Sequence, residues 1–391
     1  MKYAIVIWDG ACDEPRPELG GKTPFEAARI PNAHAAARSG RLGLVDTIPP
    51  GFAPGSDVAT LSLLGYDPHV YYTGRAPLEA AAQGIPVTDT QWVLRTNLVT
   101  IRDGVMADYS AGHIKTEEAR ELIEEVQRRL GRPGLTFYPG VQYRHLAVFD
   151  ADFDLKSTPP HDISDRPFAP HLPTGTGADM LIRLMEESRA FLPGHPVNAA
   201  RQARGENPAT SIWFWGQGRK PKLKGFAERF GKRGAVITAV DLVRGVGALL
   251  GWDRIEVPGA TGDIHTNFAG KGQYAVEALD RYDLVCTHIE APDEAGHMGD
   301  AAAKVRAIEE IDTHVIGPVI ERLKREPAWR LLVMPDHPTL LRTKTHERGA
   351  VPFLIAGSDQ PSSGLDYGET NAAKTGLRID KGWELMEFFL R

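Results

Sequence analysis

Tyr3-Ala4-Ile5-Val6-Ile7-Trp8-Asp9-Gly10 opens the chain with an unbroken apolar run that stops at a carboxylate and a glycine. A short continuous run of this kind, bounded by turn residues, reads as a strand buried on both faces. Asp9 then stands just beyond its carboxyl end. Similar runs recur at Ala235–Val240, Leu284–Ile289, Leu331–Met334 and Pro352–Ala356. Between them lie patterns of helical period, the clearest being Val305, Ile308, Ile311, Val315, Ile316, Val319, Ile320 and Leu323 on one face of a long helix. Strands alternating with helices predict βαβ units. The expected fold is α/β, a mostly parallel sheet with helices on both faces.

The middle of the chain reads differently. Leu94–Ile101 and His145–Phe149 are expected strands, and Thr116–Leu130 an expected helix with Thr116 as N-cap and Glu117 and Glu118 in the first turn. A Pro-rich loop then runs from Pro159-Pro160-His161-Asp162 to Pro173, followed by a second helix near Ala178–Leu192. We read 88–205 as a smaller inserted α+β domain, with 1–87 and 206–391 forming the larger one. At 391 residues the chain is long enough for two domains at roughly 100–200 residues each.

Apolar residues make up 42% and charged residues 25% of the chain, close to a soluble average. Lys+Arg is 45 against Asp+Glu 51, a net charge of −6 that argues against a nucleic-acid coat. Cys12 and Cys286 cannot build a disulfide framework and fit a reducing compartment. No apolar run approaches the roughly 18–20 residues of a membrane span, and the first run meets Asp9 too soon for a secretory leader. The expectation is a soluble cytoplasmic protein, with neither nucleic acid nor membrane as partner. Gly20-Gly21-Lys22-Thr23 lacks the earlier glycine of a P-loop, so no nucleotide site of that type is expected.

In open α/β sheets, ligands bind beyond the carboxyl ends of the strands, so the polar residues that follow the apolar runs are the candidates. After Leu284–Ile289 comes Glu290-Ala291-Pro292-Asp293-Glu294-Ala295-Gly296-His297. Asp293 and His297 share a face if this segment opens a helix, a spacing that suits two ligands to one cation. Leu331–Met334 is followed by Pro335-Asp336-His337, with His346 farther along. Extended backbone would point Asp336 and His337 in opposite directions, serving two metals, or one metal through a kink. Ser56, in Pro54-Gly55-Ser56-Asp57-Val58-Ala59, falls where a Gly/Pro loop enters an apolar helix. As an N-cap it contributes about 1 kcal/mol; as a nucleophile its Oγ lies where a helix N-terminus favours an alkoxide. Three carboxylates and a Ser56 alkoxide carry four negative charges, which two divalent cations balance.

The set Trp8-Asp9-Gly10, PGSDVATLSLLGYDP at 54–68, APDEAGH at 291–297, and Pro335-Asp336-His337 with His346 resembles the alkaline phosphatase superfamily. More closely it is similar to the cofactor-independent phosphoglycerate mutases of the archaeal type. GGKTPFEAARIPN at 20–32 and YTGRAPLEAAAQGI at 72–85 extend the resemblance over essentially the whole chain. The resemblance implies an alkaline-phosphatase-like sheet and two divalent metal ions. Asp293, His297 and His346 would hold one, and Asp9, Ser56, Asp336 and His337 the other, with Ser56 phosphorylated in turnover. Mixed imidazole and carboxylate ligands suit Mn²⁺ or Zn²⁺ better than Mg²⁺. It also implies that the inserted domain binds a small phosphorylated substrate through His113, Arg144, His161, Asp162 and Arg75.

One segment departs from that pattern. Ser211-Ile212-Trp213-Phe214-Trp215-Gly216-Gln217-Gly218-Arg219-Lys220-Pro221 stands where the archaeal mutases usually carry an Arg-Gly-Ala-type stretch. An anion clamp is lost unless Arg219 or Lys220 replaces it. The segment resembles a bacterial branch proposed to act as homoserine kinase. The leading expectation is interconversion of 3-phosphoglycerate and 2-phosphoglycerate. The alternatives are transfer to homoserine, a metal-dependent phosphatase, and a binding protein that kept the fold.

Overall fold

The computed structural model describes residues 1–391, which form two compact units, Met1–Tyr72 with Leu223–Arg391, and Thr73–Lys222. The larger unit is built on an eight-stranded sheet. Its order is Asp253–Arg254, Gly234–Ile237, Leu284–Ile289, Lys2–Trp8, Trp329–Met334, Val351–Gly357, Arg41–Val45, Arg378–Ile379. The central strands are parallel, with Trp8 beside Ile289 and Ile7 beside Met334. Val351–Gly357 runs antiparallel to both of its neighbours. Every residue of Leu284–Ile289 is buried, as are the last six of Lys2–Trp8 and the last five of Trp329–Met334. Their unbroken apolar sequence requires this double burial.

Two local expectations are corrected. The long helix over Val305–Leu323 is Ala301–Ile311, a π-helical turn at Asp312–Ile316, and Gly317–Leu323. Pro318 has no N–H to continue the α ladder and its ring crowds the preceding turn, so the helix widens there. Asp312 instead accepts hydrogen bonds from the Asn32 and Ala33 N–H groups, at 3.1 and 2.8 Å, opening the helix Pro31–Arg38. Thr116 is not an N-cap. Lys115 holds that position without a side-chain cap, and Thr116 Oγ1 accepts from the Gln142 N–H at 3.2 Å.

The smaller unit is antiparallel. Trp92–Arg102 pairs with Val105–Asp108, Arg144–Phe149 and Ser211–Arg219, and Leu135–Tyr138 extends the sheet. Leu122, Ile123 and Val126 of the helix Thr116–Leu130 and Leu181 and Leu184 of Ala178–Phe191 are buried with Leu98, Phe149 and Phe214 of the strands in one apolar core. The unit is wider than 88–205 for two reasons. Ala76 and Ala80 of the helix Arg75–Ala82 pack on Val93, Leu146 and Val148, and Ser211–Arg219 is a full strand of this sheet.

His145 lies inside this unit, fully buried, with Nδ1 accepting the Gly140 N–H at 3.0 Å. Burial, with Arg120 nearby, pushes its pKa down to about 3. The folded state therefore resists protonation that the unfolded chain accepts near 6.5. The stability this residue contributes is complete above pH 6.5 and is lost as pH falls toward 3. His145→Phe should flatten the decline in stability between those values, as read by urea unfolding at a series of pH values.

Candidate functional site

The carboxyl ends of three adjacent strands of the larger unit carry the site. Lys2–Trp8 delivers Asp9, Leu284–Ile289 leads to Glu290 and Asp293, and Trp329–Met334 leads to Asp336 and His337. The chain turns sharply after Asp9 because Gly10 adopts φ +61° and sends its N–H to Asp336 Oδ1 at 3.1 Å. A Cβ on Gly10 would stand 2.4 Å from Asp293 Oδ1 and 2.8 Å from Asp293 Cα. Gly10→Ala should thus force Asp293 out of place and cost about 1–3 kcal/mol of stability. Lowered Tm and reduced divalent-metal content, measured together, check this.

Ser56 is the first residue of the helix Ser56–Leu63, and Gly55 occupies the N-cap position with no side-chain cap. The N-cap reading of Ser56 is therefore set aside. Its hydroxyl points to the carboxylates instead, 3.4 Å from both Asp9 oxygens and 3.1 Å from His337 Nε2. His337 Nε2 is also 3.5 Å from Asp9 Oδ1 and 3.4 Å from Asp336 Oδ2. The loop kinks after Asp336, whose Oδ1 accepts the His337 N–H at 2.9 Å, and both side chains turn inward. Thr47 Oγ1 donates to the Asp336 carbonyl at 2.5 Å and holds that kink.

Asp293 and His297 share one face of the helix Ala291–Met298, with Asp293 Oδ2 3.1 Å from His297 Nε2. His346 Nε2 approaches Asp293 Oδ1 at 3.4 Å and His297 Nε2 at 3.0 Å. His297 Nδ1 donates to the Lys344 carbonyl at 2.9 Å, which orients the ring with Nε2 facing the cluster. The His337 and His346 rings lie 4.3 Å apart between centroids, so His337 sits between the two groups.

The electrostatics show what such crowding costs. Burial, then the charges of Asp336, Asp293 and Glu290, push Asp9 well above the usual carboxylate range. Burial acts on Asp293 in the same sense, but hydrogen bonds from His297 and His346 hold it well below that range. His297 is carried up to about 9 by its bond to Asp293. Glu290 is raised to about 8 by burial and by Asp293. Buried carboxylates this close repel one another unless cations lie among them. Asp336 Oδ2 and His288 Nε2 are buried without a hydrogen-bond partner. Donor atoms of Asp9, His288 and Asp336 lie within 4.8 Å of one another, as do those of Asp293, His337 and His346. The residues present fit divalent cations.

His288 and Glu290 were missed in the sequence. His288 is the penultimate residue of a buried apolar run, where it reads as core. Its only signal is position, next to the strand end that carries Asp293. Cys12 and Cys286 are buried and unpaired.

In the smaller unit, four of the expected substrate residues share one neighbourhood. The His113 ring is 6.2 Å from that of Tyr143, the His161 ring 6.0 Å from that of Tyr109, and the Arg144 guanidinium 5.5 Å from the Tyr143 ring. Asp162 Oδ1 stands 3.6 Å from His161 Nε2. Burial lowers the His161 pKa, and the cations of Arg95 and Arg75 add to this, which places Arg75 within electrostatic reach. Most side chains of the departing segment have partners. Trp215 Nε1 donates to Asn97 Oδ1 at 3.0 Å beneath the Arg95 guanidinium, and Gln217 bonds Ser157 and the Leu155 carbonyl. Arg219 pairs with Asp152 at 2.5 Å, so it is already committed to a carboxylate.

A family model for 2,3-bisphosphoglycerate-independent phosphoglycerate mutase matches residues 37–198. A protein of that name from Methanothrix thermoacetophila is 50% identical over 392 residues, covering 100% of both chains. A solved structure of a protein from Pyrococcus horikoshii is 30% identical at TM-score 0.85, covering 100% of this chain and 96% of its own. The cofactor-independent phosphoglycerate mutase from Thermoplasma acidophilum aligns at TM-score 0.71 and 27% identity, covering 100% and 99%.

Proposed function

The chain belongs to the 2,3-bisphosphoglycerate-independent phosphoglycerate mutase family, and from that membership we propose how its own residues carry out the transfer. The protein interconverts 3-phosphoglycerate and 2-phosphoglycerate by moving one phosphoryl group. Ser56 is the carrier in our reading. The observation that carries this is the Ser56 hydroxyl, released from helix capping by Gly55 and turned toward Asp9 and His337.

In the first half-reaction Ser56 Oγ attacks phosphorus, the Oγ–P bond forms, and the bond from phosphorus to the glycerate O3 breaks. The serine proton passes to the departing oxygen. In the second half-reaction the glycerate O2 attacks the phosphoserine, the O2–P bond forms, the Oγ–P bond breaks, and the proton lost by O2 passes to Ser56 Oγ. Asp9, Asp336 and His337 would hold one divalent cation with Ser56, and Asp293, His297 and His346 the other, Mn²⁺ being the ion we assign to both. When bound, such ions lower the pKa of the serine hydroxyl and offset charge on the phosphoryl oxygens. Gly55 presents Ser56 at the first turn of a helix, where backbone N–H groups favour the alkoxide. His113, Arg144, His161 and Arg75 are assigned to the substrate's phosphate and carboxylate, because Arg and His donors suit anionic groups, and Asp162, beside His161, to a glycerate hydroxyl.

Transfer to homoserine, which the Trp213–Lys220 segment suggested, is not favoured by the relatives. No helix is long and apolar enough to cross a membrane, and we place the enzyme in the cytoplasm. One Mn²⁺-loaded sample, assayed in parallel with 3-phosphoglycerate alone and with homoserine plus ATP, tests the assignment. 2-Phosphoglycerate is expected in the first tube without nucleotide. O-Phosphohomoserine in the second, with the first silent, would overturn it.

A further inference from the structure

We propose that His288 is a further protein ligand in the Asp9–Asp336 pocket, giving that pocket an additional imidazole nitrogen and a preference for Mn²⁺-like ions over Mg²⁺. The inference rests on the two-cation reading above.

His288 is fully buried one residue before the end of the strand Leu284–Ile289. Its Nδ1 lies 3.3 Å from Thr238 Oγ1, and that hydroxyl oxygen also accepts the Val240 N–H at 3.1 Å. The other ring nitrogen, Nε2, has no hydrogen-bond partner. With its proton on Nδ1, where Thr238 Oγ1 can accept it, the ring presents a bare Nε2 lone pair. That lone pair faces Asp9 Oδ2 at 3.2 Å and Asp336 Oδ2 at 4.0 Å, the latter also without a hydrogen-bond partner.

With Asp9 ionised, three acceptor atoms face one another in a buried pocket and repel. A cation among them reverses the sign of every pairwise term. Donors at about 2.1 Å from a common ion stand roughly 3–4 Å apart over ordinary coordination angles, the spacing seen here. A proton shared with Asp9 would need an aligned N–H, and Nε2 makes no hydrogen bond to Asp9 although Oδ2 lies 3.2 Å away. Thr238 then acts as the partner that fixes the tautomer of a ligating histidine. Each imidazole added to carboxylate ligands moves a site away from Mg²⁺ and toward borderline first-row ions.

The test is Mn²⁺ and Mg²⁺ titration of the metal-stripped full chain by calorimetry, with bound metal counted by elemental analysis and imidazole nitrogens counted by pulsed EPR on bound Mn²⁺. Wild type should take up two Mn²⁺ per chain. His288→Asn should bind one of them at least about tenfold more weakly, narrow the Mn²⁺-over-Mg²⁺ preference, and lose one imidazole nitrogen from the EPR signal. Thr238→Val keeps the ligand and removes only its orienting partner, so it should weaken the same site by less and keep the nitrogen count. His288→Asn binding both ions with wild-type affinity and an unchanged nitrogen count would overturn the inference and leave the two-cation reading intact. A wild type that takes up no Mn²⁺ would overturn both.

Discussion

Ser56→Ala is expected to leave the protein folded and to reduce mutase turnover roughly 10⁴-fold or more, the scale seen when a covalent nucleophile is deleted. The hydroxyl is not a helix cap, since Gly55 holds that position, so removing it costs the helix Ser56–Leu63 no capping bond. Its neighbours are Asp9 and His337, both at the carboxyl edge of the central sheet. The loss should fall on kcat, because the Oγ–P bond exists only on the reaction path. Unchanged Tm with turnover at background is the expected pair of readings. A variant that still turns over at a substantial rate would place the phosphoryl carrier elsewhere.

Stripping divalent metal should have an effect of similar size on activity and a large one on stability. Asp9, Asp293 and Asp336 are buried within one cluster, and burial with mutual repulsion already drives Asp9 far up its range. Cations that bind only the folded state stabilise it by RT ln(1 + [L]/Kd), about 4 kcal/mol per site at a thousandfold excess over Kd. For a unit of this size each kcal/mol corresponds to about 2–4 °C in Tm, so chelation should lower the Tm by roughly 10 °C or more. Readdition of Mn²⁺ should restore both readings. A chelated protein, verified metal-free, with wild-type Tm and activity would remove the metal centre from the mechanism.

The site was legible in the sequence wherever a polar residue follows a buried apolar run, as with Asp9, Asp293 and Asp336. A strand buried on both faces is written as an unbroken hydrophobic word, and its end is where a parallel sheet presents ligands. His297 was legible from helical spacing, and it does meet Asp293 at 3.1 Å. His288 was hidden because it lies inside such a word, where a buried histidine and a ligating one look alike. Glu290 was hidden for a different reason, since only the fold shows that it faces Asp9 and Asp293. The width of the smaller unit depended on the pairing of Ser211–Arg219 with Trp92–Arg102, a contact between residues more than a hundred positions apart. Nothing local announces such pairing. The π turn in the long helix was written in Gly317-Pro318, but apolar periodicity carries straight through it.

The role we assign to Ser56 is to carry the phosphoryl group between the two glycerate oxygens. Its most direct measurement is a rapid quench of Mn²⁺-loaded wild-type protein turning over phosphate-labelled 3-phosphoglycerate, followed by peptide mapping of the protein. One labelled phosphate is expected, on the peptide containing Ser56, with labelled 2-phosphoglycerate formed in the absence of any bisphosphoglycerate or nucleotide. Turnover with the label on another residue would contradict it, as would turnover that needs added bisphosphoglycerate.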